Sequence, residues 1–364
     1  MPRIRFVMIG GFLGAGKTTT VARLGRAYAR DGRRVAVVTN DQAHDLVDTR
    51  TLRHEGFEVG EVPGACFCCK FDDLVDVAGR FSGTAAPDLI LAEPVGSCTD
   101  LAATVIEPLR HLHADDYDVA PFTVLLKPEH GRKILGGDRN AGFSPKAAYI
   151  FLKQIEEADL VGLNKVDRLT PTEIDDLTDL VRNRFPGKPV VPLSARTGAG
   201  FDRLLDALAS PRIAPSRPID VDYDVYAEGE AELGWLNCRC AVASSAEFPL
   251  DACMLDLITA QRDALARSGM EPAHWKIHGE HGEDAALVNL VSRDAAPELS
   301  VASESRVPGA RLVVNARVAG DPESLEELVR ATLDDWALRH NLVVTIDGMQ
   351  RFRPGRPVPT HRFG

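Results

Sequence analysis

Short apolar runs alternate with amphipathic stretches over roughly the first 210 positions of the 364-residue chain, which predicts a parallel sheet covered by helices on both faces. Strands are expected at residues 4–9, 35–39, 57–62, 89–93, 122–126, 160–163 and 190–193. Several are apolar throughout, as strands buried on both faces are. Helices are expected at residues 17–30, 72–81, 99–112, 145–157, 172–185 and 201–209. The first carries Val21, Leu24 and Tyr28 on one face and arginines on the other.

The pattern breaks at residues 210–218, SPRIAPSRP, where three prolines leave no room for a helix or central strand. Beyond the break, strands are expected at residues 234–243, 274–278, 287–291, 311–318 and 342–346, with helices at 250–267 and 323–340. That β-α-β-β-β-α-β order predicts a smaller α+β domain with helices on one face of an antiparallel sheet. The expected organisation is an α/β domain over 1–210, a linker over 211–220, the α+β domain over 221–350 and an extended or frayed tail over 351–364. No internal repeat is visible.

Composition narrows the picture. Lys and Arg number 42 against 53 Asp and Glu, and a net charge of −11 argues against broad binding to nucleic acid or to an anionic membrane surface. The apolar run at residues 4–9 is too short for a secretory core, and no run is long enough to span a bilayer. Seven cysteines without a secretory pattern favour reduced thiols and a cytoplasmic location.

Candidate chemistry begins at residues 11–18, GFLGAGKT, which match G-x-x-x-x-G-K-[ST] between a strand and a helix. Gly11, Gly14, Ala15 and Gly16 let backbone amides turn toward phosphate oxygens. Lys17 offers a point charge, Thr18 a magnesium ligand, and Thr19 continues the helix start. A dinucleotide fingerprint is the competing glycine-rich turn, but Lys17-Thr18 has no place in it. Residues 164–167, NKVD, follow an apolar run. An aspartate there pairs with the N1 and N2 donors of guanine, so Asp167 reads the base, Lys165 covers the ring and Asn164 braces the loop. SARTGAG at 194–200 supplies Ser194 and Ala195 as a second base-side loop. Asp41 and Glu93, each at a strand end, are candidate Mg2+ ligands and catalytic-site acids beside Lys17 and Thr18. Glu93 with Gly96 gives an E-x-x-G loop suited to sensing a γ-phosphate; a turn or helix cap is the plainer reading of either acid.

Cys66, Cys68 and Cys69 crowd into PGACFCCK, where thiolates in one loop suit zinc, copper(I) or another soft to borderline metal. A buried run of small residues or a redox-sensing thiol pair are the alternatives. Three sulfurs leave a fourth position for another residue, a protein or water. Cys98, Cys238, Cys240 and Cys253 read as core residues. His274, His278 and His281 form a second metal-like group, although histidines at a strand end are usually surface residues.

With the P-loop, C-x-C-C, E-x-x-G, N-K-x-D and S-A-x-x-G in this order, the chain resembles the CobW-like GTPases, relatives of HypB and UreG. QIEEADLVGLNKVD looks like the family's segment before the guanine motif, and the second half looks like the CobW C-terminal domain. The resemblance implies a P-loop GTPase that binds GTP/GDP and Mg2+ and delivers a transition metal, Zn2+ or Co2+, held by Cys66, Cys68 and Cys69, to a metalloprotein client. It leaves room for a nucleotide-dependent homodimer. Three departures stand out: NDQAHD in place of N-E-F-G, Ala65 between Gly64 and the first cysteine, and Leu126-Lys127-Pro128 where an aspartate is common. A GTP-dependent assembly or reactivation factor for a metallocofactor enzyme, such as a corrinoid enzyme, that carries no metal itself is the alternative. A small-molecule kinase is disfavoured by NKVD.

Overall fold

The sheet predicted for the first half is built on β1 (Ile4–Gly11), the strand that ends in the glycine-rich loop. In chain order follow α1 (Lys17–Arg30), β2 (Val35–Asp41), α2 (Val47–His54), β3 (Glu58–Pro63), α3 (Phe71–Arg80) and β4 (Leu89–Glu93). A π-helical turn then leads into α4 (Glu107–Leu112), and β5 (Tyr117–Val119) and β6 (Thr123–Leu126) follow. A single turn, α5 (Pro128–His130), precedes α6 (Pro145–Glu157), β7 (Leu160–Leu163), α7 (Pro171–Arg184), β8 (Val190–Pro192) and α8 (Phe201–Ala209). This computed structural model describes residues 3–41, 47–81, 86–137, 144–213, 215 and 217–364.

The strands pair in the order β3-β2-β4-β1-β6-β7-β8, all parallel, with the short β5 also on β1. Parallel pairing sends every strand's C-terminal end to one edge, where open α/β sheets bind ligands. Along that edge lie the glycine loop after β1, Asp41 at the end of β2, the cysteine loop after β3, Glu93 at the end of β4, and Asn164 and Ser194 after β7 and β8. The expected strands all form. β4 and β7 are buried at every position, and β6 likewise.

Local sequence explains where the helices begin. Ser144 caps α6 by accepting from the amides of Lys146 and Ala147 at 3.1 Å, with Pro145 at the first helical position. Thr170 and Glu173 form a reciprocal capping box on α7. Gly16 opens α1 with φ of 93°, and a Cβ there would fall 2.4 Å from Nδ2 of Asn164, so both conformation and space require glycine.

The chain divides into two units, one of residues Met1–His44, Glu55–Gly229 and Arg356–Gly364, the other of Asp45–His54 and Glu230–Gly355. The sequence places the boundary at residues 211–220, whereas the chain stays with the first unit through that segment and most of α9 (Tyr223–Ala231). The physical reason is anchorage: the backbone amide of Asp222 donates to Oη of Tyr149 at 2.7 Å, and Oη of Tyr223 donates to Asp100 at 2.6 Å.

The second unit contains β9 (Leu233–Pro249), α10 (Leu250–Ser268), β10 (Glu271–His281), β11 (Asp284–Leu290), β12 (Glu298–Val301), β13 (Arg306–Ala319), α11 (Pro322–His340) and β14 (Val343–Phe352). Its sheet order is β12-β11-β10-β13-β9-β14, antiparallel throughout, with one more strand, β12, than the sequence pattern predicts. Leu257, Ile258, Val329 and Trp336 of α10 and α11 join Val314, Ala316 and Cys238 in one core. Leu287 and Val313 alternate out of that core and pack with Val47 instead, so α2 lies on the opposite face. There the Val47 amide donates to Asn315 at 3.0 Å, and Asp48 and Arg50 pair with Lys276 and Glu280.

Candidate functional site

Asn164 is the hinge pin of the site. Its Nδ2 donates to the carbonyl of Ala15 at 2.8 Å, while its Oδ1 accepts from the amides of Lys165 at 2.8 Å and Ala195 at 2.9 Å. One side chain therefore ties the glycine loop to both base-side loops. Lys165 sits in the left-handed region at φ 63°, a strained turn that these bonds offset.

Asp167 bonds to the loop after β8. Its carboxylate accepts from Ser194 Oγ at 2.7 Å and from the Arg196 guanidinium at 2.6 Å. Burial pushes its pKa up, but the Ser194 hydroxyl and the Arg196 charge outweigh burial and hold it below the usual carboxylate range. It is ionised at neutral pH, as an acceptor for two N–H donors must be. Arg196 is largely exposed.

At the phosphate end, Lys17 is 8% exposed and its Nζ donates to the Gly11 carbonyl at 3.0 Å. Thr18 Oγ1 donates to Oε1 of the buried Glu93 at 2.9 Å. An oxygen-only pair beside a P-loop lysine suits a hard cation such as magnesium. Asp41 ends β2, and its side chain lies outside the described residues. Gly96 passes so near Lys17 that a Cβ on it would come within 2.9 Å of Nζ.

Sequence reasoning missed the residue that holds the Glu93–Cys98 loop. Gln154 of α6 donates through Nε2 to the carbonyls of Gly96 at 3.0 Å and Cys98 at 2.8 Å. Glu157, one helical turn on, accepts from Thr99 Oγ1 and the Ala102 amide. Both stand in QIEEAD, a polar stretch in an otherwise buried helix end, which was the available signal. Asn40 was likewise overlooked. It donates to the carbonyls of Val62 and Ala65 and accepts from the Phe67 amide, bracing the cysteine loop from β2.

The three cysteine sulfurs lie within 4.8 Å of one another, the one His/Cys/Asp/Glu group of this kind among the described residues. Cys66 Sγ is 2.7 Å from Cys68 Sγ and 3.4 Å from Cys69 Sγ, and Cys68 and Cys69 are 3.7 Å apart. The amides of Cys69 and Lys70 both donate to the Cys66 carbonyl, a turn that folds the sulfurs inward. Hydrogen bonds from Cys68 and Cys69 hold the Cys66 thiol well below its ordinary value, and the same bond to Cys66 pushes Cys68 well up. Cys69 is raised to about 11, chiefly by its bond to Cys66. The cluster thus concentrates thiolate character on Cys66. His274, His278 and His281 do not converge on one point and lie on β10, in the second unit.

The tail is extended but not frayed. The Val358 amide donates to Cys69 Sγ at 3.2 Å, Thr360 bonds the carbonyls of Cys68 and Cys69, and the Phe363 amide bonds the Ala103 carbonyl. Arg362 Nε reaches the buried Asp100 at 2.8 Å. The segment from Arg356 onward therefore straps the cysteine loop to the loop beyond β4.

A family model described as CobW/HypB/UreG, nucleotide-binding domain, matches residues 5–192, more than half of the chain. The zinc chaperone YeiR of Escherichia coli is 30% identical over 171 residues, which cover 45% of this chain and 47% of that protein. The zinc chaperone CobW of Sinorhizobium sp is 26% identical over 230 residues, 54% and 60% of the two chains. The chain spans about half the length of the relatives it matches. Among solved structures, HypB from Helicobacter pylori in complex with nickel aligns at 17% identity and a TM-score of 0.41, covering 57% of this chain and 86% of that one. Zn(II)-bound YjiA GTPase from Escherichia coli aligns at 16% identity and a TM-score of 0.40, covering 92% and 99%. No helix among the described residues is long and apolar enough to cross a membrane.

Proposed function

The chain belongs to the CobW/HypB/UreG family of nucleotide-binding proteins, and from that premise we propose that it is a GTP-hydrolysing metallochaperone that passes a transition-metal ion of the zinc or cobalt class to a client metalloprotein. The observation that carries this reading is the convergence of three cysteine sulfurs in the same unit, and on the same sheet edge, as the P-loop and the base-side loops. The names of the related zinc chaperones support the metal class.

The chemistry follows from the residues. Asp167 accepts from guanine N1 and N2, where adenine offers an acceptor at N1 and a mismatch results. Lys17 leaves the Gly11 carbonyl for the outer phosphates, and the amides at the start of α1 hold the remaining oxygens. Magnesium, when bound, neutralises charge on the β- and γ-phosphates. Thr18 and Glu93 would hold it, with Asp41 as a third oxygen ligand. Water is the acceptor of the γ-phosphoryl group. No arginine finger or catalytic glutamine declares itself in the sequence, so slow intrinsic turnover is expected.

Competition with a chromophoric chelator measures zinc and cobalt affinity in the presence of GDP or a non-hydrolysable GTP analogue. The expected difference is 5- to 150-fold, the usual range of about 1–3 kcal/mol for allosteric coupling. Equal affinities in both states, with no loss in Cys68→Ser, would leave the cysteines structural and favour an assembly factor that carries no metal.

A further inference from the structure

The three sulfurs of the cluster are not equally reachable. Cys66 and Cys68 are 5% and 1% exposed, whereas Cys69 is only partly buried. The inner side of Cys69 faces the other two sulfurs, at 3.4 and 3.7 Å, so an ion or a client's ligand approaches from its outer side. That side carries the strap. Pro357 and Pro359 have no N–H, which leaves Val358 and Thr360 as the amide donors over this stretch. Both are directed at the cysteine loop. The Val358 amide donates to Cys69 Sγ at 3.2 Å and the Thr360 amide to the Cys68 carbonyl at 2.8 Å, while Thr360 Oγ1 donates to the Cys69 carbonyl at 3.1 Å. The Val358 side chain is 71% exposed, so the strap lies at the surface here.

We propose that residues 356–364 form a lid on the metal site, one that lifts off Cys69 whenever an ion is loaded or handed on. This rests on the metallochaperone reading above. The seated strap covers the one sulfur that is not buried, and its amide occupies the outer side of that sulfur. Loading and delivery then share one preceding step, the opening of the strap, and the rate of each scales with how often it opens.

The strap is built to lift over the sulfurs without leaving the molecule. Beyond the cysteine contacts it is held firmly: Arg362 bonds the buried Asp100 and the Ile219 carbonyl, both at 2.8 Å, and the Phe363 ring stacks on His111 at 5.3 Å. Before them it is held by Arg356 with Asp224, an exposed pair of little worth. Between these ends only three hydrogen bonds join it to the cysteine loop, few enough for local opening far below the cost of global unfolding. Two prolines keep the lifted stretch extended, so it gives up little conformational freedom on reseating.

Stopped-flow mixing of the full chain with zinc, and of the zinc-loaded chain with a chromophoric chelator, gives the loading and release rates. Val358→Pro deletes the amide on Cys69 at a position already flanked by prolines, and Thr360→Val deletes the hydroxyl on the Cys69 carbonyl. Each variant should raise both rates about 2- to 12-fold, the net worth of one hydrogen bond. Their ratio, and so the zinc affinity, should stay nearly constant, because a lid governs passage in both directions alike. In the metal-free chain, iodoacetamide labelling of Cys69, read by peptide mass spectrometry, should quicken by the same factor. Unchanged loading and labelling in both variants overturn the inference. So does faster release with unaltered loading, which would make the strap one more bond to a ligand and no barrier to entry. Absence of stoichiometric zinc from the native chain, with Cys68→Ser indistinguishable from it, would instead sink the metallochaperone reading as a whole, whatever the labelling rates show of the strap.

Discussion

The proposed base selectivity turns on a single carboxylate, Asp167. Its two oxygens already accept two donors, Ser194 and Arg196, and guanine presents a matching pair. Replacing it by Asn exchanges one acceptor for a donor and removes a charge-assisted bond of about 1.5–3 kcal/mol. Asp167→Asn is expected to weaken GTP binding roughly 10- to 100-fold while improving xanthosine triphosphate, whose C2 oxygen accepts from the new amide. Calorimetric titration of both nucleotides decides it, and unchanged GTP affinity would remove Asp167 from base recognition. Glu157 makes a second prediction at this scale. Burial raises its pKa to about 8 against an ordinary 4.5, despite favourable bonds from Ala102 and Thr99. The folded state therefore holds a proton that the unfolded chain releases. The stabilisation from this group is full below about pH 4.5 and is lost as pH rises to 8, a span worth at most about 5 kcal/mol. Thermal melts of Glu157→Gln between pH 5 and 8.5 should show a flatter decline than the native chain, and parallel slopes would contradict the assignment.

Among the elements, the strap from Arg356 to Gly364 is held by ordinary forces that can be removed singly. Asp100 is buried in the left-handed conformation, and burial raises its pKa while Tyr223 and Arg362 counter that rise. Arg362→Ala leaves this carboxylate with one partner fewer. The expected cost is about 1–3 kcal/mol, below that of a fully buried pair because the Arg362 side chain is partly exposed. Urea unfolding of the full chain measures it, and a change below about 0.5 kcal/mol would mean the strap is not anchored there. The elements that the sequence made legible share one property: their signal is local. β4, β6 and β7 are continuous apolar runs, and residues 11–18, 164–167 and the cysteine run keep their spacing in one dimension. α2, with VDTRTLRH, is only eight residues long and becomes a helix against β10 and β13, more than 200 positions downstream. β12 is a four-residue edge, and the strap has no periodicity at all. Gln154 stands in a recognisable stretch, but its role exists only because α6 and the loop after β4 meet in space.

For the whole molecule, coupling between metal and nucleotide has to be mutual. If a GTP analogue changes zinc affinity by some factor, zinc must change affinity for that analogue by the same factor. Nucleotide titrations with and without saturating zinc should therefore close the thermodynamic cycle within error. Loss of the mutual effect in Cys68→Ser is expected, and its persistence there would point to metal bound away from Cys66, Cys68 and Cys69. The division of the chain gives this test its context. α2 is contributed to the second unit by the stretch between β2 and β3, so the chain leaves the first unit after His44 and rejoins it at Glu55, ahead of β3 and the cysteine loop that follows it.

The bond from Val358 to Cys69 joins residues 289 positions apart in the chain. At a translation rate of about 5–20 residues per second, a ribosome needs about 15–60 s to make the intervening stretch. During that interval the nascent first unit has its P-loop and its cysteines but no strap over them. A newborn chain consequently passes through a period in which its sulfurs are at their most open to metal and to oxidants alike, and the order of synthesis itself sets when that period ends.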